Sequence, residues 1–202
     1  MKRRAVLRSV AGAAAAVALG GWRQALATSI NGRQWAVGPR LADLNPDRMW
    51  PVYRRYRLLI VGQRDDDTCA ALAEAVADVL ARFLPASRAQ RVRAADARRV
   101  GVLIATDQQD VAIMTRESAE ALFLAKPPFE DIPNAPLRLI VAFGSRVLVC
   151  RPDFMARHAY LVARTLAEHK DALPAAAAAP EGIVPAHPGS HAFFAGKEMP
   201  DD

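Results

Sequence analysis

Residues 58–85 of this 202-residue chain read LLIVGQRDDDTCAALAEAVADVLARFLP. The run at 58–62 is short, continuously apolar and ends in glycine, which is typical of a strand buried on both faces of a parallel sheet. From Leu72 to Phe83, apolar residues recur at helical spacing until Pro85 stops the pattern, and Thr68 is predicted to cap this helix. The stretch therefore predicts a buried strand followed directly by a helix.

The same alternation of strand and helix continues along the chain. Further strands are predicted at residues 91–93, 111–114, 137–143 and 146–150, and further helices at 97–104, 118–124 and 155–173. Strands that alternate with helices form right-handed βαβ units, which build a sheet covered on both faces. The sequence therefore predicts an α/β fold with a mostly parallel sheet flanked by helices.

The first 27 residues have the layout of a secretory signal peptide. Basic residues at positions 2–4 precede a small-residue apolar run, which ends in an Ala-Leu-Ala cleavage pattern at 25–27. The run is too short to span a bilayer as a mature anchor, although an uncut N-terminal anchor is the alternative interpretation. The Arg3-Arg4 pair favours twin-arginine export over the general route. We therefore expect a periplasmic protein.

Removal of this signal changes the charge and size of the protein. Five of the 27 basic residues lie within it, so 22 basic residues remain against 21 acidic ones. A nearly neutral chain without a basic stripe excludes nucleic acid as a partner class. The 175 residues that remain of 202 are enough for one domain with a substantial core. Because no second long apolar segment follows, we expect no stable membrane insertion after signal removal.

Four segments describe the predicted organisation of the chain. Residues 1–27 are the signal peptide, and 28–56 are an irregular lead-in with Gly, Pro and Asn punctuation. Residues 57–174 form the α/β domain. Residues 175–202 are an Ala/Pro-rich tail that contains His187-Pro188-Gly189.

In open α/β sheets, ligands bind at the carboxyl ends of the strands, where the loops at 63–68, 115–117 and 144–146 are expected to meet. By loop position, a small ligand would be lined by Gln63, Arg64, Asp66, Thr68, Thr115, Arg116 and Ser145. Arg116 would anchor an anion, because a guanidinium is a bidentate donor. The alternative interpretation of 65–67 is structural: acidic residues complement the positive N-terminus of the first helix.

Other patterns do not predict a catalytic, metal or cofactor site. The histidines at 158, 169, 187 and 191 lack the spacing of a metal cluster. The polar turn at 107–110, DQQD, is interpreted as the end of a helix and the start of a strand. The sequence lacks a nucleophile elbow, a phosphate loop and a dinucleotide fingerprint. We therefore expect no enzymatic activity, no cofactor and no bound metal.

Two cysteines, Cys69 and Cys150, leave two interpretations open. An oxidising compartment permits a disulfide between them. The favoured alternative is that both are small buried hydrophobic residues.

Several segments resemble TAXI-type solute-binding proteins, the periplasmic receptors of TRAP transporters. These are SRAQRVRAADARRVGVLIATDQQDVAIM at 87–114, PLRLIVAFGSRVLVCRPDF at 136–154, HAYLVARTLAEHKDAL at 158–173 and VPAHPGSHAFF at 184–194. The last is similar to a closing family motif, carried here by Pro185, His187, Pro188, Gly189, Phe193 and Phe194. The likeness covers roughly residues 57–196, as separate segments in the family's order.

The resemblance implies a single lobe of a periplasmic-binding-protein-like fold, since family members usually have two lobes and this chain is much shorter. It implies a non-catalytic receptor for a small ligand, with TRAP membrane subunits as partners. The acidic turn at 65–67 departs from the family's Gly/Thr-rich turn and would repel carboxylate ligands. The alternative functions are an accessory protein that docks onto a periplasmic redox or transport complex, and an enzyme that has recruited Asp107, Asp110 or a histidine.

We predict that the mature protein begins at or near Thr28, because the only well-placed small-x-small site after the apolar run precedes it. N-terminal sequencing of periplasmic material checks this. Replacement of Arg3 and Arg4 by Lys should block export if the twin-arginine route is used. Recovery of the protein in the cytoplasm with Met1 or Lys2 intact would refute the localisation.

Overall fold

The computed structural model of the chain describes residues 57–132 and 135–201. The strands are β1 (Leu59–Gln63), β2 (Gln90–Ala94), β3 (Val111–Thr115), β4 (Arg138–Phe143) and β5 (Arg146–Cys150). The helices are α1 (Asp67–Phe83), α2 (Ala97–Ala105), α3 (Arg116–Phe123), α4 (Ala156–Glu168) and α5 (Pro188–Phe194). The predicted signal peptide (1–27) and lead-in (28–56) lie outside the described residues.

The five strands form one sheet in the order β2-β1-β3-β5-β4. β1 pairs in parallel with β2 and β3, whereas β5 pairs antiparallel with β3 and β4. The predicted α/β fold is confirmed, and its parallel part comprises β2, β1 and β3. The other half is antiparallel because only two residues, Gly144 and Ser145, connect β4 to β5, and a connection this short joins antiparallel strands.

The central strands are buried because helices cover both faces of the sheet. Ile60 and Ile113 belong to a core cluster that α1 and α4 complete. Val61 and Ala112 point the other way, into a second cluster that α2 and α3 complete. All five residues of β1 are buried. This two-sided burial explains why the strand is a continuous apolar run without polar alternation.

Gly62 lets α1 lie unusually close to β1. A Cβ atom at position 62 would lie 2.7 Å from the Cβ of Ala73 and 3.3 Å from the carbonyl oxygen of Cys69. A side chain at this position would therefore push the helix off the strand. The close packing holds the N-terminus of α1 at the edge where β1 ends.

Two local predictions need correction. Thr68 does not cap α1: the N-cap is Asp66, whose carboxylate accepts the backbone N–H groups of Thr68 and Cys69 at 2.9 and 3.0 Å. An aspartate is a better N-cap than a threonine, and here it stands one residue before the helix. The long helix predicted at 155–173 is shorter, because α4 ends at Glu168 and a separate 3-10 turn follows at Lys170–Ala172.

Residues 175–201, which the sequence pattern separates from the domain as a tail, pack on the edge of the sheet formed by β4. Ala178 and Ala186 form isolated bridges with Ala142 and Leu139 of that strand. The Leu139 N–H donates to the Pro185 carbonyl at 3.0 Å, and the Leu139 carbonyl accepts from the His187 N–H at 2.8 Å. The segment therefore satisfies backbone groups that an edge strand would otherwise expose.

The motif His187-Pro188-Gly189 seats α5 against α4. His187 Nδ1 accepts the Gly189 N–H at 3.2 Å, and Pro188 opens the helix, where its missing N–H costs nothing. A Cβ at Gly189 would lie 1.8 Å from the carbonyl oxygen of Ala156, the first residue of α4. The first turns of the two helices are therefore in direct backbone contact.

We predict that Gly189→Ala lowers the free energy of unfolding by about 2 kcal/mol or more, because the added methyl group cannot fit beside Ala156. The matched control is His191→Ala, at an exposed position of the same helix, which should change stability by less than about 0.5 kcal/mol. Urea unfolding of both variants measures the difference. Equal stability would show that α5 is not seated in this way.

Candidate functional site

The structure brings the three predicted ligand loops to one edge of the sheet, called here the carboxyl edge. Gln63 ends β1, Thr115 ends β3, and Ser145 lies in the turn before β5. Thr115 is paired with Arg146 in the β3–β5 ladder, which places the second and third loops side by side. Gln63 is buried, whereas Arg64, Thr68 and Ser145 are exposed.

Asp66 ties α1 to β5 at the carboxyl edge. Besides capping α1, both oxygens of its carboxylate accept a hydrogen bond from Arg146 Nη2 at 3.3 Å. The side chains of Asp66 and Arg146 are only 20 % and 24 % exposed. Partial burial opposes ionisation, but hydrogen bonds from Cys69 and Arg146 outweigh it and lower the pKa of the Asp66 carboxyl. Asp66 therefore has a structural role at the N-terminus of α1, as the alternative interpretation of residues 65–67 proposed.

The other predicted ligands at this edge also make internal bonds. Thr115 caps α3, its hydroxyl oxygen accepting the Ser118 N–H at 3.1 Å. Arg116, the expected anion anchor, donates instead to the backbone carbonyls of Glu181 and Gly144, the latter at 3.4 Å. Its guanidinium therefore holds the C-terminal segment against the β4–β5 turn.

Two buried polar atoms at the carboxyl edge, Gln63 Oε1 and Arg146 Nε, have no hydrogen-bond partner among the described residues. One accepts and the other donates. A buried polar atom left unpaired costs about 1–3 kcal/mol.

The two cysteines are buried and free, so no disulfide joins them. Cys69 lies in the first turn of α1 at the carboxyl edge, whereas Cys150 is the last residue of β5, at the opposite end of the strand. Burial, and next the hydrogen bond and charge of Asp66, raise the pKa of the Cys69 thiol to about 12. Burial also raises the pKa of Cys150. Both are neutral thiols at pH 7, and the thiolate is the reactive form.

A cavity of about 410 Å³ lies at the other edge of the sheet, where β1 begins. Its wall is mainly apolar and comes from the start of β1, the end of α1 and the first half of α4, including Leu58, Leu84, Phe154, Leu161 and Val162. Met155, 49 % exposed, also lines it. None of the seven residues predicted to line a ligand site belongs to this wall.

A small set of polar side chains completes the wall: Arg57, Gln109, Asp110, Arg157 and His158, together with Ser87. Gln109 is only 1 % exposed, and its Oε1 has no hydrogen-bond partner among the residues that the structure describes. The turn that carries it ends α2, as the sequence predicts: the N–H groups of Gln108 and Gln109 both donate to the Leu103 carbonyl. A functional use of Gln109 was not predicted.

The N-terminus of α4 forms part of this cavity, and its N-cap residue has no oxygen in its side chain. Its N-cap is Met155, which makes no side-chain cap hydrogen bond, and no acidic residue lies in the first turn. In contrast, Asp66, Asp96, Thr115 and His187 cap the other described helices.

Within residues 57–132 and 135–201, no group of three or more His, Cys, Asp or Glu side chains is placed to hold a metal ion. In the same part of the chain, no helix is both long enough and apolar enough to cross a membrane.

We predict that Asp66→Asn lowers the free energy of unfolding at pH 7 by about 1 kcal/mol, since asparagine keeps the cap but loses the charge facing Arg146. The folded pKa of Asp66 is lowered, so its stabilisation is present above about pH 4, the unfolded value, and is lost as pH falls through the folded pKa. The gap between variant and native protein should therefore shrink below pH 4.

Urea unfolding at pH 7, 4 and 2.5 measures this gap. The matched control is Asp65→Asn, at the exposed neighbouring position, which removes the same charge without touching the bond to Arg146. A gap that stays constant with pH, or equal effects of the two variants, would contradict the assignment.

Comparison with models of known protein families and with curated proteins finds no match to this chain. The resemblance to TAXI-type receptors therefore stays a prediction from the sequence.

Proposed function

We propose that this protein binds a small molecule without transforming it, and that the ligand occupies the cavity beside the start of β1. The observation that supports this proposal is the cavity itself. Its volume of about 410 Å³ falls in the range of small-molecule sites, and its wall combines an apolar body with a few polar groups. Such a wall buries a ligand's apolar surface and orients its polar end.

The chemistry of the carboxyl edge supports a non-catalytic role. Asp66 and Arg116 are engaged in structural bonds, to Arg146 and to backbone carbonyls. The Cys69 thiol, with its pKa raised to about 12, is protonated at neutral pH and is a poor nucleophile. These groups hold the fold together and are not poised for reaction.

Export and transport extend the proposal. If residues 1–27 direct export, the ligand is bound in the periplasm. The resemblance to TAXI-type receptors would then make the protein a single-lobed solute-binding protein of a TRAP-type system. A single lobe has no partner lobe to close on the ligand, so the cavity within the lobe would have to bury it.

The docking alternative predicts a different response to small molecules. Met155, at the cavity wall, exposes half of its apolar side chain, and exposed apolar residues around a groove also suit a protein partner. A docking protein gains stability from its protein partner, whereas a binding protein gains it from the small molecule itself. The same measurement separates the two.

We predict that at least one of octanoate, 1-octanol and octylamine raises the melting temperature of the mature protein in a saturable way. At one hundred times the dissociation constant, the gain is about 2.7 kcal/mol, or about 5 °C or more. Leu161→Trp, which fills the cavity from α4, should abolish the shift. Leu124→Trp is the matched control, because Leu124 is exposed and lies outside the cavity wall.

Thermal unfolding followed by fluorescence measures these shifts. No shift with any of the three probes, or an equal shift in the two tryptophan variants, would refute ligand binding in this cavity.

A further inference from the structure

We propose that the outer edge of β2 binds an extended acidic segment of another protein, which adds a strand to the sheet. This edge is distinct from the cavity, because no residue of β2 lines the cavity wall. The inference therefore goes beyond the proposed function. Free backbone groups along β2, an apolar groove beside it and arginines without acidic partners support it.

β2 is an edge strand with free hydrogen-bonding groups on its outer side. On its inner side, the Gln90 N–H donates to the Leu58 carbonyl at 2.9 Å. In a parallel ladder alternate residues direct both backbone groups to the same side, so those of Arg91 and Arg93 point away from β1. Within the described part of the chain, these outward N–H and C=O groups have no hydrogen-bond partner.

The other edge of the sheet is covered by the chain itself. Ala178 and Ala186 form bridges with β4 and pair part of its outer edge. β2 has no such cover among the residues that the structure describes. A free edge is a template for pairing with another chain, so β2 is the strand to which a partner strand can be added.

A groove of about 540 Å³ lies beside this edge, between β2 and α2. Its apolar lining comes from Val92, Ala94, Val102 and Leu103. In a strand paired with β2, alternate side chains lie on the same face of the sheet as the groove, and the residue opposite Val92 is one of them. An apolar side chain at this position of the partner would bury itself against the groove.

Arginines beside the edge favour an acidic partner. Arg93 and Arg99 line the groove and are exposed, and neither forms an ion pair with any described residue. The acidic residue of the lining, Asp96, is engaged as the N-cap of α2, where its carboxylate accepts the Arg99 N–H at 2.6 Å. Two guanidinium groups therefore remain for the carboxylates of a partner strand.

Charge disfavours two other occupants of the edge. Two copies of β2 paired about a two-fold axis would bring Arg91 of one copy opposite Arg93 of the other, and like charges on paired strands repel. Residues 28–56 of this chain contain five basic residues and two acidic ones, so their charge does not complement the edge. An acidic segment of another protein is the occupant that the charges favour.

Calorimetric titration of the mature protein with the acetylated and amidated peptide TEVEVET tests the partner class. Its glutamates match the arginines, and its valines match the groove. We expect it to bind at least about tenfold more tightly than TKVKVKT, with an affinity that falls as salt is raised.

The double variant Arg93→Gln/Arg99→Gln should weaken binding of TEVEVET about tenfold. Arg164→Gln/Lys197→Gln is the matched control, because it removes the same amount of charge at exposed positions outside β2 and the groove. This control should leave the affinity unchanged.

Methylation of the peptide's backbone nitrogens tests strand addition separately, since the protein itself is not altered. In an added strand only alternate N–H groups face β2. We therefore expect that methylation of one series, the glutamates or the valines, abolishes binding, and that methylation of the other series spares it.

Each outcome decides one part of the proposal. Equal affinity for the acidic and the basic peptide, or equal effects of the two double variants, would overturn the acidic partner class. Equal effects of the two methylated peptides would overturn strand addition. Failure of TEVEVET to bind, or a dimer of the protein in sedimentation that the peptide dissociates, would overturn the assignment of the edge to another protein. Binding of octanoate, 1-octanol or octylamine in the cavity is measured independently, so the proposed function stands or fails on its own test.

Discussion

The close contact between β1 and α1 at Gly62 positions both candidate sites. The Cβ of Ala73 lies only 2.7 Å from the position that a Cβ atom at Gly62 would occupy. This close packing fixes the distance and the orientation of α1 relative to β1. The 17 residues of α1 span about 25 Å, whereas the five residues of β1 span about 17 Å, so the helix overhangs the sheet. One end brings Asp66 to Arg146 at the carboxyl edge. The other end brings Leu84 to the wall of the cavity.

The change of strand direction at the β4–β5 hairpin separates the two edges chemically. In parallel βα units each helix begins where its strand ends, so α1, α2 and α3 all begin near the carboxyl edge. β5 runs the other way and ends beside the start of β3, with Cys150 paired to Val111. α4 therefore begins at the opposite edge, and its positive end faces the cavity. The N-cap residues of the first three helices carry side-chain oxygens, whereas the N-cap residue of α4 is Met155.

Local patterns predicted most of the secondary structure and little of the site. The apolar run at 58–62 and the spacing from Leu72 to Phe83 are properties of neighbouring residues, and they predicted β1 and α1 correctly. The antiparallel half of the sheet depends on the two-residue turn between β4 and β5. The rule that alternating strands and helices form a parallel sheet does not take such a turn into account. The cavity is assembled from four separate stretches near Leu58, Leu84, Gln109 and Phe154, which no sequence period relates. Loop position placed seven candidate residues at one edge correctly, but it says nothing about the internal bonds that engage Asp66 and Arg116.

The His-Pro-Gly motif has a physical role that is independent of the family likeness it suggests. Gly189 is required because the carbonyl of Ala156 occupies the space of a side chain, and Pro188 and His187 start α5 at that contact. Because the packing of α5 on α4 accounts for the glycine, and the start of α5 accounts for the proline and the histidine, the motif alone carries little information about a ligand. Its functional consequence is indirect. Because Gly189 touches the first residue of α4, the motif fixes the turn that carries Arg157 and His158, two residues of the cavity wall.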